Sequence, residues 1–488
     1  MRTMNFKLAA AAAAVMTISG CINLAPDYQR PAAPVQSSWP TGPSSAPADA
    51  GTTSASLGAA DIGWRDFFGD ERLRKLIDIA LTNNRDLRIA TINIEAARAQ
   101  YGIQRSALFP TIAASASESA QRSPGTSTRS GGVSRLYDVS LGVSQYELDF
   151  WGRVRNLKDS ALQQFLATDE ARRATQISLI AEVASTYLQL AADRERLQLA
   201  QDTFKSQRAS YELTQRRFDL GAISGLDLRQ AQITVETARA DAAAYTSIVA
   251  QDENALAVLT GAPVPSDLLP SNSVDSVSAM RDLPAQLPSE VLQRRPDVLQ
   301  AEHLLLSANA NIGAARAAFF PSITLTGAYG TSSTRLGGLF DAGSKSWSFL
   351  PNISLPIFDG GLNRSNLDYA NANRDLYVAQ YEKAIQVAFR EVADALAQRG
   401  TIDEQLSANE ALARATAQYF DLSDQRFRRG ADDYLAVLDA QRTNYNAQQN
   451  LITVRLAKQT NLVTLYRVLG GGWTDTSAAS PRSLVAPS

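Results

Sequence analysis

The feature that most constrains this sequence is a span without glycine or proline that runs from Arg153 to Leu220, 68 residues in all. Glycine and proline are the residues that interrupt helices, so the span predicts one continuous helix, roughly 100 Å long if it is straight. A second helix is predicted from Leu226 to Thr260, with apolar residues seven apart and one break at Asp252. A pair of helices this long has no core of its own, so its apolar stripes must contact other helices.

The same arrangement is written twice in the chain. The segment RFDLGA at 217–222 returns as RFRRGA at 426–431, 209 residues later, and Phe109-Pro110 returns as Phe320-Pro321 after 211 residues. We therefore expect a tandem internal repeat. The predicted parts are repeat 1 at 61–262 (β-hairpin 110–149, helical hairpin 153–260), a connector at 263–287, repeat 2 at 288–470 (β-hairpin 321–358, helical hairpin 362–469) and a tail at 471–488.

Each repeat is predicted to change from helix to strand at its Phe-Pro pair. Proline cannot donate to a helix, and it disfavours helical backbone in the residue before it. The residues that follow alternate between apolar and small polar side chains, and Gly/Ser-rich segments at 121–136 and 331–346 are predicted to be the loops. The predicted strands are Thr111–Ser119, Val139–Val143, Ile323–Gly330 and Trp347–Ile357.

The alternation along these strands is typical of membrane β-barrels, although a soluble sheet packed on one side shows the same pattern. The smallest membrane barrels have about eight strands, so four strands cannot enclose one. An open sheet edge cannot face lipid. If the strands cross a membrane, several chains must therefore pool them.

The N-terminus has the features of a secretory signal peptide. Residues 1–20 contain two basic residues, an apolar stretch and then small residues. The end, ISGC, resembles a bacterial lipoprotein cleavage box, with Ile18 where leucine is usual. That resemblance implies that Cys21 is lipidated, and Ile22 after it implies outer-membrane sorting. Residues 21–60 are rich in Pro, Ser, Ala and Gly, which predicts a lipidated N-terminal tether.

Composition excludes several classes of function. Lys+Arg is 47 and Asp+Glu is 49, so the net charge of −2 argues against a nucleic-acid partner. The chain has one cysteine and one histidine, His303, which excludes an internal disulfide and argues against a catalytic triad or a histidine-rich metal site. No Gly-rich phosphate loop is present. We expect no catalytic residues, no metal and no cofactor.

Several longer phrases resemble the outer-membrane efflux family of TolC/OprM-like channels, in particular its NodT-type lipoprotein branch. They include LAPDYQRP, WRDFFGDERLRKLIDIALTNNRDLRIA, LPSEVLQRRPDVLQAEHLLLSANANIGAARAAFFPSI and RFRRGADDYLAVLDAQ. The resemblance covers nearly the whole chain. It implies a mainly α fold with a membrane β-barrel, in which a homotrimer forms a 12-stranded outer-membrane barrel continuous with a 12-helix periplasmic α-barrel.

The resemblance also implies a function. The chain would be the passive exit duct of a tripartite efflux system, with a periplasmic adaptor (membrane fusion) protein and an inner-membrane RND-type pump as partners. Its location would be the cell outer membrane. The cargo would be drugs, dyes, organic solvents or similar small molecules. The main alternative is the outer-membrane duct of a type I protein or peptide secretion system. A structural or adhesive coiled-coil lipoprotein is a third hypothesis.

The turns of the two helical hairpins are the predicted functional tips. Gly221 and Gly430 are placed where a left-handed residue ends a helix, and Ser224 with Asp227 resembles a capping box. The resemblance implies that the tips contact the adaptor through Arg217, Gly221, Ala222, Arg426, Gly430 and Ala431. It also implies a periplasmic gate of Asp227, Phe427, Asp432, Asp433 and Asp439.

The gate departs from the pattern of the family in three places. Phe427 replaces a lock tyrosine, Asp432 replaces a lock arginine, and Ala436 replaces a second ring aspartate. We therefore expect a gate with different contacts, in which Asp432 and Asp433 supply the acidic ring. A threefold ring of carboxylates would repel itself and attract cations. Either Asp432 or Asp433 could also cap the helix that follows.

Overall fold

The computed structural model describes residues 23–40, 61–124, 132–271, 273–277, 280 and 289–475. The chain divides into two compact units. Unit 1 holds the described residues within 1–32, 93–169 and 300–382, and unit 2 holds those within 33–92, 170–299 and 383–488. The predicted signal peptide and Cys21 lie outside the described residues.

Eight α-helices and four strands are present in the described residues, together with short 3₁₀ turns. In chain order they are α1 (Trp64–Phe67), α2 (Glu71–Asn83), α3 (Arg85–Ser106), β1 (Ile112–Ser123), β2 (Gly132–Glu147), α4 (Arg153–Asp219), α5 (Gly225–Thr260), α6 (Pro296–Ala317), β3 (Ser322–Ser333), β4 (Lys345–Ser354), α7 (Leu362–Arg428) and α8 (Tyr434–Val468).

The long helices predicted from the spans between glycines and prolines are confirmed. Helices α4 and α7 each contain 67 residues, and α7 stays helical through Gly400. The heptad predicted on α5 is buried at Leu228, Ala231 and Val235, which confirms that this stripe is a packing face.

Both predicted helix-to-strand changes are present in unit 1. Helix α3 ends at Ser106 before Pro110 and β1, and α6 ends at Ala317 before Pro321 and β3. At the second junction the Trp151 ring stacks on Phe320, with ring centroids 4.7 Å apart. The Trp151 indole N–H donates to the Pro321 carbonyl at 2.8 Å. The bond gives a donor to a carbonyl that lies between α6 and β3, outside both elements.

The strands of unit 1 form one antiparallel sheet in the order β1-β2-β3-β4. Both predicted loops are shorter than expected: Gln121 pairs with Ser134 and Arg122 with Val133, all four inside the segment 121–136 that was predicted to be a loop. Ser332 and Ser333 likewise continue β3 by pairing with β2. The physical reason is that ladder hydrogen bonds use the backbone, so Gly/Ser-rich sequence can extend a hairpin without apolar side chains.

The two faces of this sheet differ in size and polarity. Leu141, Tyr329 and Trp347 lie side by side on three strands, and between 60% and 77% of each residue is exposed. On the other face Ser140 lies beside Ser115, with 3.1 Å between their hydroxyl oxygens. A β-carbon added at Gly330 would lie 2.1 Å from the Val139 carbonyl oxygen, so the backbones approach closely there. A contiguous exposed apolar face of this kind marks an interaction surface.

The main hydrophobic core lies in unit 2. It packs α1 and α2 against the middle of α4 and the last turns of α5 and α8. Phe67 stacks on Tyr466, with ring centroids 4.0 Å apart, and both are almost completely buried. The Tyr466 hydroxyl donates to the Ile62 carbonyl at 2.6 Å, which gives this buried polar group its partner.

The predicted tether is described only over residues 23–40, which contain neither helix nor strand. These residues nevertheless make specific contacts. Those up to residue 32 belong to unit 1, where they contact α6. Residues 33–40 belong to unit 2, where Trp39 stacks on Phe389 at 4.9 Å.

Candidate gating and docking site

All of the predicted gate and docking residues belong to unit 2. We call residues 217–227 the first tip and residues 426–439 the second tip. In the first tip, α4 ends as Gly221 adopts a left-handed conformation with φ of 71°. The Ala222 N–H donates to the Arg217 carbonyl at 2.9 Å, and the Gly221 N–H donates to the Phe218 carbonyl at 2.8 Å. This turn satisfies carbonyls that the end of the helix leaves free.

The predicted capping box of the first tip is confirmed. The Asp227 N–H donates to the Ser224 hydroxyl oxygen at 3.3 Å, and the Ser224 N–H donates to the Asp227 carboxylate at 3.1 Å. Within the described chain the Asp227 carboxylate is therefore engaged by its own tip, and no hydrogen bond joins it to Asp432. Its part in a gate stays a prediction.

The second tip has the same turn as the first, but a different residue type caps the helix that follows it. Gly430 has φ of 75°, and the Ala431 N–H donates to the Arg426 carbonyl at 3.0 Å. Of the two candidate caps for α8, the structure uses Asp433, whose carboxylate accepts from the Ala436 N–H at 3.1 Å. A carboxylate there also faces the positive end of the helix dipole.

Asp432 forms an ion pair across this turn. The Arg426 guanidinium donates to both carboxylate oxygens, with distances of 2.6 and 2.7 Å. These hydrogen bonds lower the pKa of the Asp432 carboxyl below its usual range. Asp432 was expected to contribute to an acidic ring. Within one chain its negative charge is paired with the positive charge of Arg426, which the sequence pattern did not predict.

Asp439 lies one turn into α8 and also has a cationic neighbour. Its carboxylate accepts from the Arg442 guanidinium at 2.8 Å, and both side chains are largely exposed. The pair lies on the wall of a cleft of about 420 Å³ that is lined by α4, α5 and α8. The cleft combines apolar residues with polar ones: Ile233, Ala238, Leu435, Leu438, Thr234, Thr237, Asp241, Gln441 and Tyr445.

The two tips contact each other through an aromatic cluster that sequence analysis only partly anticipated. The Arg217 guanidinium lies over the Phe427 ring at 5.6 Å, and Phe427 contacts Tyr434 at 5.2 Å between centroids. The hydroxyls of Tyr434 and Ser210 are 2.8 Å apart. Phe427 has no hydroxyl, so its bond to the opposite tip is a cation–π contact rather than a hydrogen bond.

Further up the helices, α5 and α8 exchange a pair of reciprocal contacts. The Tyr245 hydroxyl donates to Gln449 at 3.2 Å, and the Tyr445 hydroxyl donates to Asp241 at 3.3 Å. Burial raises the pKa of Tyr445 to about 12, so the tyrosine stays a hydrogen-bond donor at physiological pH. Sequence analysis did not single out Ser210, Tyr434, Asp241 or Tyr445. Of the residues in these contacts only Tyr245 occupies a position of the heptad on α5, so the sequence offered no signal for those four.

The described residues contain no group of three or more His, Cys, Asp and Glu side chains suited to a metal ion. Among the helices of those residues, none is long and apolar enough to cross a bilayer. The tip residues thus form ion pairs and aromatic contacts within and between the two helical hairpins.

Comparison with known proteins gives the family. The model of the family described as outer membrane efflux protein matches residues 76–262 and 287–471. The chain is 48% identical to the antibiotic efflux pump outer membrane protein ArpC of Pseudomonas putida, over 97% of each chain. It is also 48% identical, with the same coverage, to the toluene efflux pump outer membrane protein TtgC of the same species.

Solved structures agree with this assignment. The open state of the Neisseria gonorrhoeae MtrE outer membrane channel superimposes with a TM-score of 0.84, at 40% identity, and covers 94% of this chain and 100% of its own. The chain therefore belongs to the outer membrane efflux protein family, whose members are non-enzymatic channels of the outer membrane.

Proposed function

We propose that this chain is the exit duct of a tripartite efflux system, an outer-membrane channel that passively conducts small molecules from an inner-membrane pump. The main support for this proposal is the sheet of unit 1. Exposed apolar side chains occupy one face of the sheet, and small polar residues occupy the other. Such a face is suited to lipid. Because four strands cannot close, three copies would pool twelve, and their long helices would form the periplasmic tunnel.

The proposed cargo is small and largely apolar. Relatives at 48% identity are named for toluene and for antibiotics. The proposed partners are a periplasmic adaptor and an inner-membrane pump of the proton-driven RND type. The adaptor would contact the two tips through the turn residues Arg217, Gly221, Ala222, Arg426, Gly430 and Ala431. Cys21 would carry the acyl chains that add a second attachment to the outer membrane.

The proposed periplasmic gate consists of Phe427 and four of the acidic residues of the tips. The local ion pairs shape this proposal, because Arg426 and Arg442 compensate Asp432 and Asp439. In a trimer these acids would form rings whose net field depends on both members of each pair. The gate acids are Asp227, Asp432, Asp433 and Asp439.

Planar-bilayer recording tests the gate. We expect Asp439→Ala, or Asp432→Asn with Asp433→Asn, to lower cation selectivity and block by divalent cations. Arg442→Gln should do the opposite, because it exposes the Asp439 charge. Glu71→Gln is a matched control, since Glu71 is an exposed carboxylate paired with Lys75 outside the tips. Unchanged selectivity and block in all tip variants would remove these residues from the gate.

Deletion of the gene tests the function as a whole. The deletion strain should become more susceptible to toluene-like solvents and to antibiotics, and the intact chain should restore resistance. Loss of a secreted protein or peptide from the medium, with unchanged susceptibility, would instead favour a type I secretion duct. Crosslinking of an adaptor to cysteines placed at Gly221 and Gly430 tests the docking surface directly.

A further inference from the structure

One face of α6 in unit 1 contacts the chain's own N-terminal segment. We call residues 23–30 the strap. The α6 residues that contact it are Glu302, Asn309, Gly313 and Arg316, spaced 7, 4 and 3 residues apart. At 3.6 residues per turn this spacing keeps all four on one side of the helix. The strap therefore follows the axis of α6 for about four turns.

The anchor point of the strap is a buried carboxylate. Glu302 is 6% exposed and accepts from Arg30 through two guanidinium nitrogens, at 2.7 and 2.9 Å. The Tyr28 hydroxyl donates to the same carboxylate at 3.0 Å. A buried carboxylate needs such partners, because an unpaired charge in this position is costly. Within the described residues, both of its donors belong to the strap.

The backbone of the strap is also recognised. The Asn309 amide donates to the Pro26 carbonyl at 2.8 Å, and Arg316 donates to the Leu24 carbonyl at 3.1 Å. Gly313 makes room both for the strap and for Asn156 of α4, since a β-carbon there would lie 2.7 Å from the Ala25 nitrogen and 2.5 Å from the Asn156 amide nitrogen. Gly102, its counterpart 211 residues earlier on α3, has nothing within 4 Å of the same position. The slot therefore exists on α6 and is not a general property of the repeated helix.

The strap ends close to the strands of unit 1. Leu24 contacts Arg316, one residue before α6 ends at Ala317, and β3 begins at Ser322. Cys21 is three residues before Leu24, and three residues span at most about 11 Å. The docked strap thus confines Cys21 to the neighbourhood of the junction between α6 and β3.

We infer that the strap is a positioning element that sets where the lipid-bearing N-terminus enters the bilayer. Glu302 fixes its register, Gly313 seats its backbone, and the acyl group is held beside the start of β3. The chain's own contacts, and not the lipid, determine this location. The inference rests on the proposed function in two respects: the strands of unit 1 must lie in a membrane, and Cys21 must carry the acyl chains.

Fluorescence quenching by brominated lipid tests the strap in the full mature chain. Cys21→Ser removes the acyl chains, a non-lipoprotein signal peptide replaces residues 1–20, and Leu24→Cys supplies the single thiol for a bimane probe. The protein is reconstituted in phosphatidylcholine vesicles brominated near the glycerol end of the acyl chains. A second protein carries the probe at Leu141→Cys on the exposed face of β2 and reports whether the sheet is in lipid.

We expect the probe at residue 24 to be quenched without any lipid attached. Arg30→Met with Glu302→Met removes both charges together, so that no unpaired buried carboxylate remains. Loss of hydrogen bonds to a charged group should lower the docking equilibrium about ten- to a hundredfold, which abolishes the quenching. Gly313→Ala should reduce it as well, whereas the matched control Gly102→Ala should leave it unchanged. In every variant the Leu141 probe checks the fold.

The outcomes separate the two proposals. Quenching at residue 24 that survives both the paired methionine variant and Gly313→Ala overturns the strap's role in positioning. So does an unquenched probe at residue 24 beside a quenched probe at Leu141, and this result leaves the channel function intact. If neither position is quenched, the membrane location of the sheet is wrong and the strap inference is overturned with it.

Discussion

The two helical hairpins of this chain, α4–α5 and α7–α8, have nearly the same lengths but place their buried charges differently. At the end of each returning helix a side chain donates to a free carbonyl. Asn84 donates to Leu259 at 2.9 Å in one hairpin, and Arg295 donates to Val468 at 2.8 Å in the other. Asn84 and Arg295 are 211 residues apart in the sequence. The donor is neutral in the first hairpin and charged in the second.

A second pair of positions shows the reverse. Asn461 on α8 donates to the Ala395 carbonyl at 2.9 Å and to Gln398 at 3.0 Å. The residue 209 positions earlier is Asp252 on α5, which faces the buried Asp193. One Asp252 oxygen is buried and has no hydrogen-bond partner in the described structure, and a carboxyl pair of this kind can form a hydrogen bond only when one member is protonated. The first hairpin is therefore the one with a titratable group at this position.

In both hairpins the backbone sets where a polar group is needed, while the charge of that group can vary. A helix end leaves carbonyls that require a donor in either hairpin. An amide or a guanidinium can supply it, but they differ in what their loss costs and in their response to pH.

The largest expected difference between the hairpins concerns the donors at the helix ends. Arg295 is also paired with Asp297 and Glu391, at 2.7 and 2.8 Å. Arg295→Ala leaves these carboxylates without their partner, so we expect it to destabilise the protein by about 3 kcal/mol. Asn84→Ala should cost about 1–2 kcal/mol, since it removes a neutral hydrogen bond and the cap of α3. Denaturant unfolding in detergent, followed by helical circular dichroism, measures both. Equal losses would refute the distinction between the hairpins.

The next difference is in pH dependence. Burial and the neighbouring Asp193 raise the pKa of Asp252 to about 7, from an ordinary value of 3.8. The folded state then keeps a proton that the unfolded state releases, so stability falls as pH rises from about 4 to 7. Asp252→Asn should remove this dependence and stabilise the protein at pH 8, by roughly 1–2 kcal/mol after solvent screening. Near pH 4 the two proteins should be equally stable.

Thermal unfolding across this pH range, with the wild-type curve compared with that of Asp252→Asn, isolates this group from the other carboxyls. Asn461→Asp is the reciprocal variant, and it should introduce a pH dependence into the second hairpin. If the melting temperatures of the wild type and of Asp252→Asn change in parallel at all pH values, Asp252 does not keep a proton in the folded state.

A smaller effect is expected at the turns, where the hairpins should behave alike. Gly221 and Gly430 both have positive φ, and a β-carbon at either position meets no atom within 4 Å. Alanine therefore costs only the backbone strain, roughly 1 kcal/mol in each turn. Hydrogen exchange of the amides of Ala222 and Ala431 should accelerate by about fivefold in the matching variant. Exchange that responds in one tip alone would show that the two turns are not equivalent.

Much of the fold could be predicted because its signals are local. Helices α4 and α7 follow from long spans with few helix breakers, the strand junctions follow from Phe-Pro, and the turns follow from Gly221 and Gly430. The strand ends were less accurate, since serine and glycine extend β1 and β2 beyond the apolar alternation. Here backbone pairing outweighed side-chain pattern.

Contacts between distant segments could not be predicted. Glu302 is bound by Arg30 from 272 residues away, in a segment whose composition predicted only a tether. At the tips, sequence analysis gave the acids but not their partners, because a salt bridge across a turn depends on side-chain direction. The Arg426–Asp432 pair is the example, and the gate itself is still to be tested.

That pair gives the smallest expected effect, and it distinguishes the second tip from the first. Arg426 lowers the pKa of Asp432, so the pair contributes stability above the ordinary pKa of 3.8 and loses it as pH falls through the lower folded value. The pair is solvent-exposed and should be weakened by salt. Exchange of the Ala431 amide, relative to Ala222, should therefore rise slightly at acidic pH or high salt. Arg426→Gln should remove this dependence and leave the turn intact, because the Ala431 N–H donates to the backbone carbonyl of residue 426. If the wild-type ratio of the two amides is insensitive to both pH and salt, the ion pair does not stabilise the tip in solution.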